Sequence, residues 1–280
     1  MESQDFQIIK SSGETTGFKV HKLRKSLKAS GANDTLVKKI VNQVIDELYP
    51  GISTREIYNR AFAMLKRGKS VYASKYKLKK AIYELGPTGF PFEQFVSGVL
   101  HYSGYETQIN QTLKGTCVSH EIDVVAVKNG QWNIIECKFH GEQGLKCNVK
   151  VPMYVHSRYS DVKEPLIKTN KKELQSIEGW VVTNTRFTAD ALNYGKCMGL
   201  YLLSWDHPKD NALKDRIDRL GLYPLTVSTL LSNREKQFLL NQNVVLCRQI
   251  LGKIYLLDHL GISNSRKERI IEEMKQLCIV

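Results

Sequence analysis

The chain of 280 residues carries 41 Lys/Arg against 28 Asp/Glu, a net charge of +13, with 42% apolar and 25% charged residues. Those fractions belong to a soluble globular protein and exclude collagenous, low-complexity and disordered chains. No apolar run approaches the roughly eighteen residues that span a bilayer, the opening MESQDFQIIK lacks a secretory pattern, and the six cysteines form no C-x-x-C pair. The expectation is a cytoplasmic protein with no membrane partner, disulfide framework or structural zinc. The length allows two or three domains. Charge is uneven, with 17 Lys/Arg against 8 Asp/Glu in residues 1–90, and this points to a polyanionic partner, either nucleic acid or nucleotide phosphates.

Residues 6–10 read as a short strand, 11–13 as a turn and 15–20 as a returning strand. Apolar residues then recur at helical spacing through Leu23 and Leu27 to a stop at Gly31. Asn33 and Asp34 start a second helix bearing Ile40, Val41 and Val44 inward. Ser53 or Thr54 caps a third with Ile57, Ala61 and Leu65 inward, and a fourth is expected over 71–85.

A small hairpin followed by four helices, with IIK and Gly13, FKVHKL, GISTREIYNRA and KYKLKKA in order, resembles the ATP-cone family, a nucleotide-binding regulatory domain. The resemblance implies that Lys10, Lys22, Thr54 and one of Lys79 or Lys80 approach a bound ATP or dATP. Tyr58 stands where the family often has histidine, and would stack or hydrogen-bond. The chain departs from the family at Ser11-Ser12, losing an arginine suited to phosphate recognition, and at Thr16, where an acid is expected. A cone reduced to a basic docking or DNA-binding module is the alternative.

Two glycines and two prolines in 86–91 interrupt any helix. A helix follows from Phe92 to Leu100, and a turn at 103–105 leads into a strand, ETQIN. Residues 120–140 read HEIDVVAVKNGQWNIIECKFH. Asn129-Gly130 between apolar runs marks a hairpin. Glu136 and Lys138, two apart on one strand, leave the same face, and the hairpin sets Asp123 beside them. Two adjacent carboxylates are costly to ionise without a divalent cation between them. A lysine there can orient or deprotonate water, or stabilise charge developing on a phosphate. The competing reading is an ordinary solvated strand face. It is disfavoured because Glu136, Cys137 and Lys138 continue the apolar run of Ile134 and Ile135. Cys137, on the opposite strand face, reads as a small buried hydrophobe.

Beyond the hairpin come a glycine- and lysine-containing loop with Lys146 and Lys150, and a helix with Tyr154, Arg158 and Tyr159 ending near Glu164. A strand over 178–184, a helix in RFTADALNYGKCMGL and a last strand over 201–205 follow. The spacing D-x12-E-x-K, preceded by FE-x-x-V at Phe92 and Glu93 and followed by VVTNTRFTADA and GLYLLSW, resembles Mrr-like restriction endonucleases of the PD-(D/E)xK superfamily over residues 87–206. The resemblance implies an α/β (α+β) fold, a mixed sheet flanked by helices. It implies Mg²⁺ held by Asp123, Glu136 and the main-chain carbonyl of Cys137, with Lys138 activating water and Glu93 pointing toward the metal. Double-stranded DNA is the implied substrate, with Lys146, Lys150 and Arg158 as phosphate contacts. His120 and His140 bracket the stretch as supporting or DNA-contacting residues.

From residue 208 the pattern is helical, with segments at 213–222 and 225–240 and two short helices divided at Gly252 and Gly261. LDHLGIS before a basic helix weakly resembles helix-hairpin-helix modules, and a packing or dimerisation extension is the reading taken. The division is therefore an ATP-cone-like domain at 1–86, a nuclease-like domain at 87–207 and a helical extension at 208–280. The functional expectation is an Mg²⁺-dependent DNA endonuclease serving restriction, regulated by ATP or dATP and acting as a homodimer or higher homo-oligomer. The alternatives are a nucleotide-sensing DNA-binding regulator that uses the nuclease fold as a scaffold, and a DNA repair nuclease.

Overall fold

A computed structural model describes residues 6–10, 13–170 and 174–278. The expected turn at Ser11 and Ser12 lies outside the described residues. Strands β1 (Gln7–Ile9) and β2 (Thr15–Gly17) pair antiparallel, with Ile8 opposite Thr16. Helices α1 (Val20–Ala29), α2 (Asp34–Asp46) and α3 (Thr54–Gly68) follow. Two of them start as the sequence suggests: Asn33 accepts a hydrogen bond from Leu36 N at 2.9 Å, and Ser53 from Glu56 N at 3.0 Å. Each satisfies an amide that the first helical turn leaves free. Leu27, Ile40, Val44, Ile57, Ala61 and Leu65 close the core of this unit.

The single helix expected over 71–85 is two helices, α4 (Ser70–Tyr76) and α5 (Leu78–Tyr83), meeting at Lys77. The break lets the chain serve two cores. Ala73 of α4 packs with α1–α3, whereas Leu78, Ala81 and Ile82 of α5 enter the core of the larger body. At the junction the Lys77 amine bonds to Glu84 Oε2 at 2.5 Å and to the Thr226 carbonyl at 3.0 Å.

The larger body begins with α6 (Phe90–His101), whose second residue is Pro91, where a missing amide costs nothing. Then come β3 (Glu106–Lys114), β4 (Ser119–Lys128), β5 (Gln131–Lys138), the short β6 (Lys146–Cys147), α7 (Lys150–Thr169), β7 (Ser176–Thr183), the short β8 (Arg186–Phe187), α8 (Ala189–Cys197) and β9 (Tyr201–Leu203). The main sheet has order β3-β4-β5-β7-β9, antiparallel on the β3-β4-β5 side and parallel from β5 to β9. Asn129 and Gly130 turn the β4–β5 hairpin with φ of +51° and +73°, as a tight hairpin turn requires. Strand alternation divides the apolar residues between two faces. Val124, Ala126 and Ile135 pack with α6, while Val125 and Ile134 pack with Val155, Tyr159 and Val162 of α7. Two local readings change. The strand ETQIN extends to Lys114, and α7 runs past Glu164 to Thr169 with Pro165 inside it.

The rest comprises α9 (Leu213–Leu220), a 3₁₀ turn at Leu225–Val227, α10 (Asn233–Asn241), α11 (Cys247–Leu251), α12 (Tyr255–His259) and α13 (Asn264–Cys278). The expected helix over 225–240 is therefore a 3₁₀ turn and a separate helix. Leu225 N is drawn to the Val245 carbonyl at 2.8 Å, and Ser232 with Glu235 forms a capping box that begins α10 afresh. This region is no loose extension. Leu213, Leu225, Leu246, Ile270 and Met274 share one core with α5, α6 and a face of the sheet. No described helix is long and apolar enough to cross a membrane.

Candidate active cleft and nucleotide pocket

The β4–β5 ladder runs from the Lys128–Gln131 pair to the Val124–Ile135 pair and stops there. One step further Asp123 and Glu136 would face each other. β5 continues to Lys138 paired only to β7, so its β4 edge opens. Asp123 covers that edge: the Cys137 amide donates to Asp123 Oδ2 at 2.7 Å. On its other side the β3–β4 register passes from Ile109–Val124 to Gln111–Ile122, omitting Asn110, which takes a left-handed φ of +52°. Nothing in the local pattern of β3 marks Asn110 for this.

Burial pushes the Asp123 carboxyl above its usual range. Burial, and then the charge of Asp123, pushes Glu136 up to about 8. Glu93, reaching in from the first turn of α6, is raised to about 7 by burial and then by Asp123. The three acids of the sequence pattern thus lie in one another's field. Glu136 Oε1 is buried and has no hydrogen-bond partner. Arg158 Nη2 stands 3.2 Å from it, a charge contact without hydrogen-bond alignment. The same guanidinium donates to the Glu121 carbonyl and to Tyr154 Oη. Arg158, read from sequence as a phosphate contact, is therefore held inside the acid cluster.

Lys138 is exposed at the rim of a cleft of about 330 Å³, lined also by Glu136, Lys150, Val151 and Tyr154. Its carbonyl accepts from Thr183 Oγ1 at 2.7 Å. Asn184 clamps His140 through main-chain bonds of 2.9 and 2.8 Å. Burial, then Lys138, holds the His140 imidazole below its usual range. His120 stands elsewhere, bonded to Asp161 at 2.8 Å, and that carboxylate also caps the Cys117 and Val118 amides of the β3–β4 turn. Cys137 is half-buried, packing against the α6 side while also lining the cleft, and desolvation pushes its thiol well up.

These residues fit a hard divalent cation in part. Asp123 and Glu136 offer carboxylate oxygens, one an unpartnered buried acceptor. Their repulsion is relieved by positive charge. Among the described residues no group of three or more His, Cys, Asp or Glu is placed to hold a metal ion.

A second pocket, of about 430 Å³, lies in the N-terminal unit. Lys10, Lys19, Lys22, Thr54, Tyr58 and Tyr76 line it. Four residues expected there from the sequence are brought together: Lys10, Lys22, Thr54 and Tyr58. Lys79 and Lys80 are not; α5 has left this unit for the larger body, so both lie away from the pocket. Their place is taken by Lys19 and by Tyr76, which stacks on Tyr58 at 5.0 Å and 10°. The Tyr58 hydroxyl is buried without a partner, and burial raises its pKa.

A family model for the ATP cone domain matches residues 6–84, and one for the AF1548-like C-terminal region matches residues 223–278. An uncharacterized protein of Archaeoglobus fulgidus is 30% identical over 180 residues, which are 64% of this chain and 97% of that protein. The crystal structure of a protein of unknown function, AF1548, superposes with a TM-score of 0.55 at 29% identity, covering 68% of this chain and 98% of that one.

Proposed function

The chain belongs to the AF1548-like family and carries a segment that matches the ATP cone. From the arrangement of its acids we propose that it is a metal-dependent DNA endonuclease of the Mrr-like PD-(D/E)xK type. ATP or dATP in the cone pocket is its proposed regulator, and restriction of foreign DNA its role. The observation that carries this reading is the convergence of Asp123, Glu136 and Glu93 where the β4–β5 ladder ends, with Lys138 at the mouth of the cleft. Asp123 and Glu136 would hold the Mg²⁺, which supplies Lewis-acid stabilisation and an acidified water when bound. Lys138 orients the attacking water and meets charge that builds on the phosphoryl oxygens. The Cys137 amide, which donates to Asp123, would hold that carboxylate in place at the open edge of β5. Cutting both strands of a duplex takes two such sites, hence the proposed homodimer.

A second reading has one observation in its favour. Arg158 already supplies positive charge beside Glu136, as it would in a nucleotide-sensing DNA-binding protein that keeps the fold as a scaffold. Supercoiled plasmid with Mg²⁺, with and without ATP or dATP, separates the two. The nuclease reading expects nicking or linearisation that falls by at least about a hundredfold in Asp123→Ala, which loses a metal ligand, and in Lys138→Ala, which loses the group that orients water. Tight DNA binding with no cleavage of methylated or unmethylated plasmid would select the scaffold.

A further inference from the structure

Lys79 has left the nucleotide pocket, and its new surroundings assign it other work. It lines a small polar pocket of about 100 Å³ together with Lys146, Arg186, Asn184, Thr185 and Trp205. The three cations arrive on separate elements, α5, β6 and β8. β6 and β8 are fixed side by side, with Lys146 opposite Arg186 in a parallel pair. No acid lines the pocket among the described residues; Asp206 bonds Arg186 Nε at 2.6 Å, leaving the cluster with an excess of positive charge. Arg186, itself 59% exposed, stands near enough to Lys79 to help lower that amine's pKa, after desolvation. Like charges gathered in this way are stabilised by an anion arriving among them.

The pocket also has a fixed place relative to the cleft. Its wall, Asn184 and Thr185, continues β7, the strand beside β5. Thr183 bonds the Lys138 carbonyl and Asn184 clamps His140, so pocket and cleft are parts of the same end of the sheet.

We propose that Lys79, Lys146 and Arg186 form a seat for a backbone phosphate of duplex DNA beside the cleft, with Lys79 contributed by the segment that matches the ATP cone. The inference rests on the nuclease reading for its ligand, but it concerns binding alone. A cation that neutralises one phosphate contributes about 0.9 to the slope of log affinity against log salt.

The test is fluorescence anisotropy of a labelled duplex with the full chain in EDTA, as a function of salt. Lys79→Ala with Arg186→Ala should lower the magnitude of the slope by about 0.9, the contribution of the one seated phosphate, and Lys79→Ala alone by a part of that, with affinity lower on the order of tenfold near 0.1 M salt for the double variant. ATP affinity, measured by calorimetry on the same variants, should stay within about twofold of wild type. Lys79→Glu should weaken DNA binding further, while thermal melts verify that each variant is folded. An unchanged slope, loss of ATP affinity with Lys79→Ala, or a wild-type chain that does not bind duplex would each overturn the seat. Plasmid cleavage stands apart: DNA bound through Lys79 but never cut leaves the seat standing and removes the nuclease reading, and cleavage with an unchanged slope does the reverse.

Discussion

Glu136 Oε1 is a buried acceptor with two candidate partners, the Arg158 guanidinium 3.2 Å away and a divalent cation. An unpaired buried carboxylate is expensive, which is why burial drives Glu136 up to about 8. Arg158 relieves this only in part, being already committed to the Glu121 carbonyl and Tyr154. A cation that binds the folded state alone stabilises it by about 2.7 kcal/mol at a hundred times its dissociation constant. Mg²⁺ is therefore expected to raise the wild-type melting temperature by several degrees. The gain should vanish in Asp123→Ala and in Glu136→Gln, which keeps the shape without the charge. Calorimetric melts with and without Mg²⁺ decide it, and a gain that survives both substitutions would put the ion elsewhere.

At the scale of elements, what could be read from the sequence was what local chemistry decides. Asn33 and Ser53 cap helices because their side chains reach amides three residues on, and Asn129-Gly130 turns a hairpin because few other pairs tolerate its φ values. Asp123, Glu136 and Lys138 could be placed together because strand period and hairpin register are themselves local rules. Arg158 and Asn110 could not. The first depends on how α7 crosses the sheet, the second on a left-handed residue in a strand of ordinary pattern. The break at Lys77 was hidden for the same reason: KYKLKKA is a good continuous helix until two separate cores compete for its faces. That break decides which lysines can meet a nucleotide. Lys22→Ala should weaken ATP binding on the order of tenfold, the loss of a charge-assisted phosphate contact, whereas Lys80→Ala should leave it unchanged. Isothermal titration of both variants checks this, and equal losses would put α5 back in the pocket.

Across the whole molecule, the cone is joined to the C-terminal helices by buried polar groups rather than by apolar packing alone. Glu273 of α13, 2% exposed, accepts from Ser74 of α4 at 2.8 Å, Ser228 at 2.5 Å and Thr229 at 3.2 and 3.1 Å. α4 also carries Tyr76, which lines the N-terminal pocket, so that pocket and the Glu273 network share one helix. Removing Glu273 strands these donors at a cost of about 1–3 kcal/mol or more, so Glu273→Ala should melt several degrees below wild type. Nearby Lys236, 6% exposed, is brought down to about 8 by burial and then by Lys77, against the opposing pull of Glu84 and Glu273. Its folded pKa lies below the unfolded value near 10.5. Between those pH values the unfolded chain binds more protons, so this group makes stability rise with pH from about 8 to 10.5 and leaves a penalty in place at pH 7. Lys236→Met should remove that penalty, because replacing a buried charge with an apolar side chain of similar length is often stabilising, by about 1–4 kcal/mol. The variant should melt above wild type at pH 7, with the gap closing toward pH 10.5. Thermal melts across that range read the sign directly. A variant less stable than wild type at pH 7 would mean that the acids Glu84 and Glu273 outweigh burial, and that Lys236 is part of what holds the cone to the body.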